Sequence, residues 1–156
     1  LLSQFCEKVY ISSRKDQPST QRLPQIHDLK KYSGYGPLSG ILSAMAKFPK
    51  VAWLILACDL PLVDDKTLKH LIRYRDPAKI ATAYRNRFND LPEPLCAVYE
   101  PKANRLLLAF FKKGIVCPRK ILINTNPCLL KLKNKRALDN VNTPEEYVQT
   151  LEFLKK

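Results

Sequence analysis

The longest apolar stretch, Val51-Ala-Trp-Leu-Ile-Leu-Ala57, has no polar interruption, as expected of a strand buried on both faces and central in a parallel sheet. The segments around it carry other periods. Apolar residues at 38, 41, 42, 45 and 48 predict a helix that stops before Pro49. Val9-Tyr-Ile-Ser12 predicts a strand followed by a polar loop over 14–20, and Gln25-Ile-His-Asp28 predicts a second, brief strand. Asp64 and Asp65 are N-cap candidates for a helix running to about Tyr74, with Leu68, Leu71 and Ile72 on one side. Strands are expected over Lys79–Tyr84 and Leu95–Tyr99, and a helix from Asn104 to Lys112 that ends at Gly114. Ile121–Ile123 and Leu129–Lys133 read as shorter strands, the second an edge strand kept soluble by Lys131 and Lys133. The last segment begins Thr143-Pro144-Glu145-Glu146, which places Thr at N-cap, Pro at N1 and Glu at N3 of a capping box. Positions 147, 148, 151 and 154 continue one apolar helical face.

Strands alternating with helices imply α/β architecture with a mostly parallel sheet. No linker divides the chain, so residues 1–156 are expected to form a single domain. With 46% apolar and 26% charged residues the composition excludes a disordered chain. The longest apolar run falls far short of the ~20 residues of a membrane span, so no membrane partner is expected. The five cysteines cannot all pair, and two histidines cannot complete a zinc site, which points to reduced, cytoplasmic residence. Cys6, Cys58 and Cys96 lie in apolar runs and are expected to behave as small buried hydrophobes.

In open α/β sheets ligands bind beyond the carboxyl ends of the strands. The 51–57 strand delivers Cys58-Asp59-Leu60-Pro61 to that rim. Asp59 there either holds a divalent cation together with substrate phosphates or simply caps the turn before Pro61. Gly36-Pro-Leu-Ser-Gly40 opens a helix and either lets an anion approach free N–H groups or only starts and packs the helix. Asn140 and Asn142 alternate around Val141, so both can face one way from an extended segment. Paired amides can read a heterocycle edge; equally, Asn is a common turn former. The net charge is +13, and ten Lys or Arg with no acid lie between Glu100 and Asp139. That field suits phosphorylated ligands, or nucleic acid without sequence preference.

Five stretches in order, Val9–Arg14, Gly36–Gly40, Trp53–Pro61, Pro94–Tyr99 and Asp139–Glu146, resemble the molybdenum cofactor guanylyltransferase family. The resemblance implies a Rossmann-like, three-layer α/β/α nucleotidyltransferase fold. It implies transfer of GMP from GTP to the phosphate of molybdopterin with release of pyrophosphate, dependent on Mg²⁺. Residue by residue, Asp59 matches the family's Mg²⁺-binding aspartate. Ser13 and Asp28 match the guanine side, and Ser13 stands where some members carry Asn. Gly36 belongs to the loop beside the nucleotide, and Asn140 and Asn142 match the pterin side. Other molybdenum cofactor biosynthesis proteins are the implied partners, and nucleic acid is not.

The family's glycine-rich loop, L-A-G-G-x-S-x-R-M-G-x-D-K, has no counterpart in these residues. Leu1–Glu7 already reads as the end of the helix that follows it. The expectation is therefore a domain lacking its N-terminal strand–loop–helix unit of roughly 35 to 45 residues. Three alternatives stay open at this point: a pterin- or nucleotide-binding remnant without catalysis, cytidylyl instead of guanylyl transfer, and a basic nucleic-acid-binding domain.

Overall fold

The computed structural model describes residues 1–17 and 22–154. Positions 18–20 of the expected polar loop and the side chain of Leu154 lie outside the described residues. The strands are β1 (Ile11–Ser13), β2 (Gln25–His27), β3 (Trp53–Leu56), β4 (Ala81–Arg85), β5 (Pro92–Tyr99) and β6 (Cys128–Leu130). The helices are α1 (Pro37–Lys47), α2 (Asp65–Arg73), α3 (Ala103–Lys112), α4 (Pro118–Ile123) and α5 (Pro144–Leu154). Short 3₁₀ turns occupy Leu2–Gln4 and Lys30–Tyr32.

Four strands form a sheet in the order β3–β5–β4–β6. β5 runs antiparallel to both β3 and β4, and β6 is parallel to β4, so three of the four strands point the same way. β1 and β2 pair in parallel as a separate two-stranded sheet. Alternation along β4 and β5 distributes their side chains to two cores. Ala81, Ala83, Ala97 and Tyr99 face Leu38, Ile41, Leu42 and Met45 of α1, Leu107 of α3, and Ile121 and Leu122 of α4. Tyr84, Cys96 and Val98 face Leu68 and Leu71 of α2, with Leu60, Val63 and Leu138. The result is the expected three-layer α/β/α arrangement.

Caps form where the local signals place them. Asp64 caps α2 by accepting the Thr67 backbone N–H at 2.7 Å. The capping box of α5 is reciprocal: Glu146 N–H donates to Thr143 Oγ1 and Thr143 N–H donates to Glu146 Oε2, both at 3.2 Å. α3 ends on Gly114 at φ +77°, a left-handed position that glycine occupies without a Cβ penalty.

Three expectations require correction. The apolar run at 51–57 is not central: β3 is half-buried and, among the described residues, pairs only with β5. Ile121–Ile123 is the end of α4 and not a strand. Pro118 starts that helix at N1, and the consecutive burial of Ile121 and Leu122 follows a helical face, not strand alternation. Cys58 is exposed, because the chain leaves the sheet there; Cys96 on β5 is the buried thiol, and burial pushes its pKa up to about 12. The predicted apolar face of α5 also stays open, with Tyr147, Val148 and Leu151 exposed. Among the described residues no helix is long and apolar enough to cross a membrane.

Candidate functional site

The turn after β3 carries Asp59 to the carboxyl end of the sheet, and the segment after Leu138 lies along it. Val141 N–H donates to the Asp59 carbonyl at 2.9 Å, and Asn140 Nδ2 donates to Asp59 Oδ2 at 2.9 Å. Buried Leu60 and Leu138, both in the α2-side core, anchor the two segments. Asp59 Oδ1 is buried and has no hydrogen-bond partner. A carboxylate oxygen withdrawn from water without a donor is costly, of order 1–3 kcal/mol or more. A hard divalent cation satisfies it, so this residue fits the Mg²⁺ role its motif implies. No group of three or more His, Cys, Asp or Glu forms a ready-made metal cage among the described residues. The other ligands of such an ion would then come from water and substrate phosphate, the usual arrangement for Mg²⁺.

A second group gathers where β1 and β2 end. Ser13, Asp28, Gly36 and Gly40 border a small cleft of about 210 Å³, together with Ser12 and Arg14. Parallel pairing puts Ser13 and Asp28 side by side, with Asp28 N–H donating to the Ser13 carbonyl at 3.1 Å. Ser13 Oγ donates to Gln25 Oε1 at 3.0 Å and lies 3.2 Å from His27 Nδ1. Burial pushes the Asp28 carboxyl above the ordinary carboxylate range, while the charges of Arg14 and His27 pull it back. Gly36 precedes Pro37 at N1 of α1 with φ +57° and ψ −140°, and no side chain caps this helix start. The N-terminus of α1 thus opens on the cleft with the polarity that attracts an anion.

Gly40 brings α1 against β1 so closely that an added Cβ would collide with Ser12 Oγ. Helix propensity alone would favour Ala over Gly here by about 1 kcal/mol. Gly40→Ala is nevertheless expected to destabilise by roughly 1 kcal/mol, because overpacking outweighs that gain. In a Ser12→Ala background, where the colliding hydroxyl is gone, the same change is expected to stabilise. Thermal unfolding of the four variants reads the change of sign.

A larger cleft of about 830 Å³ adjoins the first across Pro37, which borders both. Arg87, Phe88, Leu95, Arg119 and Asn140 line it. Asn140, which holds Asp59, is therefore a wall of this cleft, whereas Asn142 is not. Asn142 is instead drawn into the α5 cap, its backbone N–H donating to Glu146 Oε2 at 2.7 Å. Arg87 grips Asp139, Nε to Oδ1 at 2.9 Å, and Arg136 Nε meets the same carboxylate at 3.2 Å. Arg119 bridges α4 to Glu93 at 2.8 Å. Sequence reasoning does not single out Arg87, Phe88 or Arg119. The available signal is a lone aromatic in the polar turn Asn86-Arg-Phe-Asn-Asp90. The acid-free basic stretch does not form one face: Arg119 is engaged by Glu93 of β5 and Arg136 by Asp139 at the stretch's end, and the stretch runs through α3, α4 and β6.

Residues 1–127 match the family model described as the MobA-like NTP transferase domain. The chain is 37% identical over 152 residues to a molybdenum cofactor biosynthesis bifunctional protein of Synechocystis, covering 96% of this chain and 43% of that protein. It is 26% identical to a probable molybdenum cofactor guanylyltransferase of Clostridium perfringens, covering 94% of this chain and 76% of that one. The chain thus spans less than half the length of the Synechocystis relative. Among solved structures, molybdopterin-guanine dinucleotide biosynthesis protein A of Archaeoglobus fulgidus superposes with TM-score 0.70 at 26% identity, over 86% of this chain and 70% of its own. A protein of Aquifex aeolicus at 18% identity superposes with TM-score 0.68 over the same shares and bears on the fold alone. With the family model matching most of its length and the same architecture in its structural neighbours, this chain belongs to the MobA-like NTP transferase family.

Proposed function

We propose that the domain transfers GMP from GTP to the terminal phosphate of molybdopterin. An oxygen of the acceptor phosphate attacks the α-phosphorus, a new P–O–P link forms, and the bond to the leaving pyrophosphate breaks. The observation that carries this reading is the unpartnered Asp59 Oδ1, held by Asn140 where the second of two adjoining clefts begins. Ser13, Asp28 and Gly36 are assigned to the nucleotide: an Asp28 carboxylate offers acceptors for the N–H edge of guanine, and the uncapped start of α1 faces the phosphates. Asn140 is assigned to the acceptor side; Asn142, matched to that side by the motif, lies off the cleft wall and in the α5 cap. Asp59 is the residue that would hold Mg²⁺, whose contribution when bound is to offset charge on the phosphate oxygens. The names of the relatives favour GTP over CTP. Five free thiols favour a reducing compartment, the cytoplasm.

The test is pyrophosphate release in protein containing these residues together with the family's glycine-rich loop. Release is expected with GTP, Mg²⁺ and molybdopterin, at least about tenfold faster than with CTP. Release that ignores the acceptor, or that prefers CTP, would overturn the reading. The 156 residues by themselves carry no glycine-rich loop, and β1 and β3 are not bridged into one sheet. They are expected to bind GTP weakly, and calorimetric titration giving micromolar affinity would contradict that.

A further inference from the structure

The β4–β5 turn exposes an aromatic ring on a loop rich in hydrogen bonds. Phe88 is 76% exposed, more than any other large hydrophobic side chain among the described residues. Its loop is nevertheless tightly bonded. Asn86 N–H donates to the Leu91 carbonyl at 2.8 Å, and Asp90 N–H donates to the Asn86 carbonyl at 2.9 Å. Asn86 Oδ1 accepts the Phe88 N–H at 2.9 Å, and Asn89 Oδ1 accepts the Leu91 N–H at 3.1 Å. Arg85 holds Asp90, which sits at φ +58°, by a 2.8 Å ion pair. The Arg87 guanidinium lies over the Phe88 ring, 4.2 Å from its centroid, and its own position is fixed by Asp139. An apolar ring in water with so many groups fixing its surroundings is pre-organised for a contact that the folded chain does not itself make.

Arg87 and Phe88 border the larger cleft, whose other walls include apolar Leu95, Val116 and Pro118 and polar Glu93, Arg119 and Asn140. The charged groups on its walls are paired, Arg87 with Asp139 and Arg119 with Glu93. A flat ring for stacking, an amide for an edge and paired arginines that can also donate to acceptor atoms together suit a planar, polar-edged heterocycle. We propose that Phe88, braced by Arg87, is the stacking platform for the heterocyclic ring of the acceptor, a pterin bearing a phosphate monoester. This rests on the acceptor reading above. Phe88 thereby contributes to the choice of acceptor, while Asp59 and the smaller cleft act on the other substrate.

The experiment is a fluorescence titration, in protein containing these residues together with the glycine-rich loop, with neopterin monophosphate, a fluorescent pterin phosphate, and with guanosine monophosphate titrated separately. Phe88→Ala is expected to weaken the pterin phosphate about tenfold, the usual cost of losing one stacking partner. Phe88→Trp is expected to keep affinity within about threefold, and neither change should move the affinity for guanosine monophosphate. Thermal melting of each variant checks folding, which a side chain this exposed should not disturb. If the pterin phosphate binds and Phe88→Ala leaves it unchanged, the platform assignment is overturned and the proposed reaction stands. If Phe88→Ala weakens guanosine monophosphate instead, Phe88 serves the nucleotide and the assignment is again overturned. If the unaltered protein with the glycine-rich loop does not bind the pterin phosphate at all, both the platform and the acceptor reading fall.

Discussion

Asp59→Asn is expected to lower nucleotidyl transfer by two orders of magnitude or more while leaving the fold intact. Offsetting charge on transferring phosphates is worth several kcal/mol, and each 1.36 kcal/mol is a factor of ten in rate. The substitution keeps an oxygen to accept from Asn140, so the contact that fixes the turn after β3 survives. It removes the charge whose Oδ1 is buried without a partner. Unfolding temperature should therefore hold or rise slightly, since groups kept for function are often retained at the expense of stability. A second readout separates the metal role from a merely structural one. In protein containing the glycine-rich loop, GTP with Mg²⁺ should raise the unfolding temperature of the unaltered enzyme, and the Mg²⁺-dependent part of that rise should vanish in Asp59→Asn. Turnover at the original level with saturating GTP and Mg²⁺ would remove Asp59 from the mechanism.

Arg75→Met, away from the site, is expected to be strongly destabilising. Glu100 directly follows β5 with its side chain only 3% exposed, and Arg75, just beyond α2, grips both oxygens, Nε to Oε1 at 2.6 Å and a terminal N to Oε2 at 2.7 Å. The guanidinium is about one-third exposed, so the pair is partly screened and intact contributes little net stability. Breaking it is a different matter, because the carboxylate stays behind in a place water does not reach. About 3 kcal/mol is expected, or roughly 6–12 °C in unfolding temperature for a domain of this size. The double variant Arg75→Met, Glu100→Met should recover most of the loss, since two apolar side chains leave no stranded charge. If the double variant is as unstable as the single, the cost lies in lost arginine packing and not in the unpaired carboxylate.

Motifs whose partners are neighbours along the chain are legible from the residues alone. The Thr143–Glu146 capping box, the Asp64 cap and the α1 stripe depend on groups three or four residues apart, and they form as written. Asp59, Gly36 and Asn140 are legible as motifs, since the family resemblance matches them by order along the chain. Phe88 is not, because its significance lies in a cleft assembled from distant segments. Asn142 illustrates the opposite limit: alternation around Val141 suggests that it shares a face with Asn140, and the α5 cap takes its backbone instead.

The sequence by itself determined α1, α2, α3 and α5, the caps of α2 and α5, most of the alternation of strand and helix, and the residue types available for phosphate chemistry. Tertiary structure decided where those elements lie. It made the apolar run at 51–57 a half-buried strand with one partner among the described residues, because the partner of a strand edge is chosen by distant chain and not by the strand's own composition. It made Ile121–Ile123 the end of a helix, with Ile121 and Leu122 buried and Ile123 48% exposed, because three apolar residues carry no period to separate helix from strand. It also set Asn140 against Asp59 across 81 positions of sequence. Local periodicity records contacts a few residues apart, whereas a binding site is made by burial that brings remote segments together, and only the packed chain fixes which of them meet.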